Sequence, residues 1–253
     1  MQSTVDRLAE RLVSKLKRFL FQPQSTPSAD VFNRAFMCSV PPSERLVIGL
    51  CGIPASGKSS LAQDVVRRVN QISANNGEDG EIAIYIGLDG WHLPRSTLAA
   101  FPDPQEAFAR RGAHWTFSAT GYLDFVSSLR APVADLPIHA PSFSHALKDP
   151  VENDLQVTSS HRVVLIEGLY VFLNVEPWSV AGHLLDERWL LEVDVEVARE
   201  RLVQRHVKSG VTDNLKDAIL RARDNDMPST VYRFNTTSTV LTLPQMESLS
   251  LRI

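Results

Sequence analysis

With 253 residues, 43% of them apolar, the chain can bury one sizeable core and has no need of a second domain. A net charge of −3 argues against a broadly electrostatic nucleic-acid binder. No apolar run reaches the ~18 residues of a membrane span, the longest being Val163 to Leu173 with Glu167 inside it, and Cys38 and Cys51 are too few for a disulfide framework.

The first expected element is an amphipathic helix, with Val5, Leu8, Leu12, Leu16 and Leu20 on one stripe and Arg7, Arg11, Lys15, Lys17 and Arg18 beside it. A mitochondrial targeting segment has this form, but Asp6 and Glu10 depart from its acid-poor composition. A cytoplasmic location is therefore expected, with a mitochondrial one as the alternative. Gln22 to Ala29, rich in Gln, Pro and Ser, reads as a linker, and residues 1–40 group as N-terminal helix plus linker.

Leu46 to Cys51 is a short continuous apolar run, the pattern of a strand buried on both faces of a parallel sheet. It leads into Gly52-Ile53-Pro54-Ala55-Ser56-Gly57-Lys58-Ser59, which fits G-x-x-x-x-G-K-[ST] and reads as a phosphate-binding loop. Its glycines let successive backbone N–H groups turn inward, and the helix that follows adds its positive end. Gly52, Ala55, Ser56, Gly57, Lys58, Ser59 and Ser60 are thus the candidate nucleotide contacts. Lys58 would bridge the β- and γ-phosphates of a nucleotide, and Ser59 would offer an oxygen to Mg²⁺.

Leu61, Val65, Val66, Val69 and Ile72 then recur at helical spacing, Ser73 to Gly80 is a polar turn, and Ile82 to Ile86 reads as a second strand. Asp89 follows in Leu88-Asp89-Gly90-Trp91-His92, where a carboxylate could take the proton of an attacking hydroxyl or simply cap a turn. The interval from Asp89 to His161 exceeds an ordinary crossover, so a substrate-recognition insertion is expected at about residues 90–160.

Val163 to Ile166 and Trp189 to Val193 read as further strands. Glu167 ends the first of these, where it could help hold Mg²⁺ or form a structural ion pair. Arg201, Arg205 and Lys208 recur along a helical pattern from Val195 and form one basic face, either solvated or a lid at about residues 196–225 that stabilises a transferring phosphoryl. Ser238 to Leu241 could add a final strand. Strands alternating with helices imply a three-layer α/β/α fold with a mostly parallel sheet, a helical lid and an insertion, with ligands beyond the carboxyl ends of the strands. The domain is placed at residues 41–245, leaving 246–253 as a tail.

Together these motifs resemble the phosphoribulokinase, uridine kinase and pantothenate kinase family of P-loop kinases, over Arg45 to Asp226. Leu88-Asp89-Gly90-Trp91-His92-Leu93 is similar to the family's D-[GS]-[FW]-[HY] signature, whose Asp is its proposed catalytic base. Arg110 to Phe117 resembles its basic stretch before T-F-D, Pro141-Ser142-Phe143-Ser144-His145 its substrate-side loop, and Arg201 to His206 its lid helix. Ser118 departs from the Asp usual after Thr-Phe.

The resemblance implies an ATP- and Mg²⁺-dependent kinase acting on a hydroxyl of a small metabolite: a nucleoside, a sugar or a pantothenate-like polyol. It implies Lys58, Asp89, Arg201 and Arg205 as catalytic, Ser59 and Glu167 as metal-holding, and Asp89, His92, Arg111, His114, Ser144 and His145 on the acceptor side. The alternative is a nucleoside triphosphate hydrolase on the same core. No nucleic-acid or membrane partner is expected, and no heptad seam specifies an oligomer.

Overall fold

The computed structural model describes residues 2–20, 43–78, 80–226 and 239–242. Helix α1 (Gln2–Leu20) precedes β1 (Leu46–Gly52), α2 (Lys58–Asn75) and β2 (Ala83–Gly87). An insertion follows, made of α3 (Arg95–Ala99), α4 (Pro104–Ala109), α5 (Ala119–Leu129) and the strands β3 (Ile138–Ser144) and β4 (Asp149–Val157). The chain then returns through β5 (Val163–Glu167), α6 (Trp178–His183), β6 (Glu187–Glu192), the lid helices α7 (Val195–Lys208) and α8 (Leu215–Arg221), and β7 (Thr239–Thr242).

The main sheet has the order β2-β5-β1-β6-β7, and each of its pairs is parallel. β1 lies at its centre, which is why all seven of its residues are buried. Alternate residues feed opposite layers, as the strand period of two demands. Ile48 and Leu50 join α1 and α2 in one core, whereas Val47 and Cys51 join Tyr122, Phe125, Tyr170 and Trp178 in the other. The three-layer arrangement follows directly.

The stripe on α1 is part of this core. Val5, Leu8, Ala9, Leu12 and Val13 are buried with Leu61, Val65 and Val69 of α2. Arg11 and Lys15 both pair with Glu187 on β6, and Arg68 on α2 pairs with Asp6 at 2.7 Å. Burial works against ionisation of Glu187, but the hydrogen bonds from Lys15 and Trp189 and the charge of Arg11 outweigh it and hold its carboxyl below the usual range.

Several boundaries differ from the sequence reading. β2 begins at Ala83 and runs to Gly87, one residue further on at each end than expected, because pairing with β5 continues to Gly87 opposite Glu167. β6 spans Glu187–Glu192, earlier than the expected Trp189 to Val193. The insertion is only partly helical: Pro141 to Ser144, expected in a loop, is strand β3, paired antiparallel with β4. The lid is two helices, each with its own side-chain N-cap, Asp194 for α7 and Asn214 for α8. The final strand forms as β7, parallel to β6, while the linker at Gln22 to Ala29, Cys38, Ser238 and the tail lie outside the described residues.

Candidate active site

The phosphate-binding loop leaves the end of β1 in a conformation that few sequences tolerate. Ala55 and Gly57 both have positive φ, 58° and 92°, so neighbouring peptide N–H groups turn toward one concave face. A left-handed non-glycine residue costs about 1–3 kcal/mol, a strain that concentrates at functional sites. Gly52 is needed for close approach, since a Cβ there would lie 2.9 Å from Ser56 Oγ and 3.1 Å from the Leu191 carbonyl oxygen.

The start of α2 is prepared for an anion. Its N-cap is Gly57, with no side-chain capping bond and no acidic residue in the first turn, so the free N–H groups and positive end of the helix are uncompensated. Ser56 Oγ is buried and has no hydrogen-bond partner among the described residues. Phosphate oxygens fit both deficits. Ser60 is exposed beside Ser59 in the same turn.

Glu167 ends β5 opposite Leu50 on β1 and Gly87 on β2, which sets its carboxylate beside the loop. It is 6% exposed and therefore needs partners. Lys58 Nζ lies 3.5 Å from Oε1, and the hydroxyls of Ser59 and Tyr85 donate to Oε2 at 2.9 Å and 3.0 Å. Burial, and then the charge of Glu167, push the Tyr85 phenol above its ordinary pKa, so it stays a donor. Burial likewise raises the Cys51 thiol to about 12, which makes it an inert core group.

Among the described residues no three His, Cys, Asp or Glu side chains gather as a metal cage. One carboxylate and one hydroxyl nevertheless suit Mg²⁺, which retains waters and takes its other ligands from phosphates.

Asp89 sits in a 3-10 turn, Leu88–Trp91, directly after β2. Its side chain is 63% exposed, with His92 Nδ1 at 3.9 Å from the carboxylate. The same Nδ1 is 2.8 Å from the Asp89 carbonyl oxygen, which can only accept, so this nitrogen carries the proton. His92 packs against Phe117 and Phe143 at ring-centroid distances of 3.9 Å and 5.0 Å, and burial lowers its pKa. Gly90 lets the turn touch β3, since a Cβ there would lie 2.3 Å from the Pro141 carbonyl oxygen.

The residues expected on the acceptor side divide into distinct settings. Arg111 donates to Asp149 at 2.9 Å and to the carbonyl oxygens of Lys148 and Leu93 at 2.6 Å and 3.3 Å, so it pins the β3–β4 hairpin to the segments that flank α3 and α4. His114 meets the Tyr170 ring at 6.1 Å, and burial lowers its pKa. Ser144 Oγ accepts from Leu147 N at 3.2 Å in the hairpin turn, and exposed His145 lies edge-on to Phe143 at 5.4 Å. Trp91 is core, packed on Tyr122 and Phe125. Ser118 is the N-cap of α5 but makes no side-chain capping bond.

Arg201 is half-buried and Arg205 exposed on α7, and among the described residues neither joins an ion pair. Their helix nonetheless adjoins the phosphate-binding loop, because Leu202, Val203, Ala218 and Ala222 form a small core against which Ala55 of the loop packs. Two contacts were not foreseen from sequence. Arg110 Nη1 donates to the Asp224 carbonyl oxygen at 3.2 Å, joining insertion to lid, and Tyr85 reaches Glu167 across 82 residues of chain. The only local signal for Tyr85 is its place two residues before Gly87, at the carboxyl end of a strand.

No family model matches the chain. It is 48% identical over 141 residues to the ATP-dependent kinase-like protein notR′ of Aspergillus versicolor, covering 55% of this chain and 82% of that protein. It is 37% identical over 205 residues to the "Putative uridine kinase C227.14" of Schizosaccharomyces pombe, covering 81% and 84% of the two chains. The structure of YFH7 from Saccharomyces cerevisiae superposes with a TM-score of 0.75 at 19% identity, over 95% of this chain and 99% of that one, a likeness of fold. With that relationship in sequence and the loop, Glu167 and Asp89 arranged at one rim, the chain belongs to the family its motifs resemble, the P-loop kinases of the phosphoribulokinase, uridine kinase and pantothenate kinase type.

Proposed function

We propose that this protein is an ATP-dependent kinase that transfers the γ-phosphoryl group to a hydroxyl of a small metabolite. One observation carries the reading: the loop that leaves Ser56 Oγ and the first turn of α2 without partners also places Lys58 and Ser59 on Glu167, with the open carboxylate of Asp89 following the neighbouring strand.

In this reading the loop N–H groups, Ser56, Ser60 and Lys58 bind phosphate oxygens, and Ser59 with Glu167 holds Mg²⁺. Once bound, the ion would neutralise negative charge on the phosphates. Asp89 orients the acceptor hydroxyl and takes its proton, which requires the exposure that its side chain has. Arg201 and Arg205 bring positive charge from α7 toward the transferring group. His92, neutral between two aromatic rings, shapes the acceptor side with His114, Ser144 and His145, while Arg111 fixes the hairpin that carries the last two.

A nucleoside is the first acceptor class to test, because the fission yeast relative is named for uridine; sugars and pantothenate-like polyols follow. Residues 41–245 would form the kinase domain, acting in the cytoplasm. The competing reading is a nucleoside triphosphate hydrolase, for which the insertion joined to the lid through Arg110 has no evident use. The test is Mg²⁺-ATP consumption by the purified protein with pooled nucleosides, sugars, sugar phosphates, pantothenate or glycerate, against a no-acceptor control. A rise with one pool supports the kinase, and equal turnover with and without every pool supports the hydrolase.

A further inference from the structure

Glu167 is held by more than its two P-loop partners. Gly87 faces it in register across β2 and β5, and Tyr85 lies two residues back on the same face of β2. Because Gly87 has no side chain, the Tyr85 ring can lie along the strand toward the site. A Cβ at Gly87 would stand 3.1 Å from the phenol oxygen and 3.6 Å from Cζ. The hydroxyl thereby reaches Glu167 Oε2 at 3.0 Å, the same oxygen that accepts from Ser59 at 2.9 Å.

We propose that Tyr85 is a positioning residue for the metal-holding carboxylate, with Gly87 as the gap that lets it reach. This rests on the reading of Glu167 as the residue that holds Mg²⁺. In that reading Lys58 turns to phosphate and Ser59 turns its oxygen to the ion, so both P-loop partners of Glu167 are drawn away when nucleotide binds. Tyr85 comes from a strand outside the loop and has no ligand of its own to serve. Its hydrogen bond is the one that can stay, keeping Oε2 in place while the rest of the environment of the carboxylate changes. Outer-shell donors of this kind orient ligating groups, and their loss typically weakens metal affinity about 10- to 100-fold.

Equilibrium binding of a non-hydrolysable ATP analogue, measured by calorimetry in Mg²⁺ and again in EDTA, tests this without any turnover. Tyr85→Phe removes one oxygen and is expected to weaken binding about tenfold in Mg²⁺ while leaving the value in EDTA unchanged. Gly87→Ala, which keeps the phenol but crowds its oxygen at 3.1 Å, is expected to show a smaller loss of the same Mg²⁺-specific kind. In a Glu167→Gln background, Tyr85→Phe is expected to add nothing further. The proposal is overturned if Tyr85→Phe binds like the wild type in Mg²⁺, if it weakens binding equally in both media, or if its effect adds fully to that of Glu167→Gln. Should Glu167→Gln itself show no Mg²⁺-specific loss, the assignment of Glu167 fails and the role of Tyr85 fails with it, an outcome separate from failure of Tyr85 alone.

Discussion

Leu12→Ala examines whether α1 belongs to the folded core. The side chain is 0% exposed and packs with Leu61, Val65 and Val69 of α2 and with Trp189 of β6. Losing Cγ and both Cδ atoms forfeits about 2.4 kcal/mol at ~0.8 kcal/mol per buried carbon, before any cavity is counted. The void between two helices and a strand relaxes only in part, which brings the expected cost to about 3 kcal/mol, inside the roughly 2–5 kcal/mol seen for buried leucine truncations. In a chain of this size that lowers the melting midpoint by about 6–12 °C. Urea unfolding followed by tryptophan fluorescence and by far-ultraviolet circular dichroism is the assay, with coincident transitions required for a two-state reading. Glu10→Ala, on the exposed side of the same helix, is the control and should stay within about 0.5 kcal/mol of wild type. A Leu12→Ala protein as stable as that control would refute the packing of α1 on α2.

Other substitutions separate chemistry from folding. Asp89→Asn should leave the melting midpoint unchanged, because its side chain is 63% exposed, and should lower acceptor-dependent kcat by about 10²- to 10⁴-fold; near-wild-type turnover would remove Asp89 from the role of base. Lys58→Ala should still fold, since Ser59 and Tyr85 continue to donate to Glu167, yet lose about 10²- to 10³-fold in transfer rate, and retention of full activity would exclude Lys58 from phosphoryl stabilisation. Burial lowers the folded-state pKa of His92, His114 and His161 below the ordinary 6.5. The unfolded chain therefore binds more protons below that pH, so stability present above about 6.5 is lost as pH falls through the folded values. The urea midpoint should be lower at pH 5 than at pH 7.5, and a higher midpoint at pH 5 would contradict the burial of these rings.

The loop and its flanking elements were legible because their determinants are contiguous. β1, Gly52, Gly57, Lys58 and the first turns of α2 lie in one stretch, and the backbone conformation there depends on glycine positions that can be read directly. Asp89 and Glu167 were legible as carboxylates at strand ends. The β3–β4 hairpin was not, because its strands bury little: only Ala140 in β3 and Val157 in β4 are fully buried, so neither shows a clear apolar alternation. The N-terminal stripe was legible as a helix but not by its partner, since the same amphipathic pattern suits a core face or a targeting segment.

Local sequence by itself determined where the chain forms a phosphate-binding turn, because curling a backbone around an anion needs specific residues at adjacent positions. It also determined the parallel architecture, since a strand buried on both faces must be apolar throughout. Only the tertiary structure decided which groups meet at that turn. Glu167 owes its environment to strand order, which sets β5 between β1 and β2, and Tyr85 reaches it through a register that pairs Gly87 with Glu167. Arg111 stands among the residues that the motif resemblance puts on the acceptor side, yet folding gives its guanidinium to Asp149 and to two carbonyl oxygens. Long-range pairing of this kind leaves no periodic trace along the chain, because the partners are fixed by which strands and loops become neighbours.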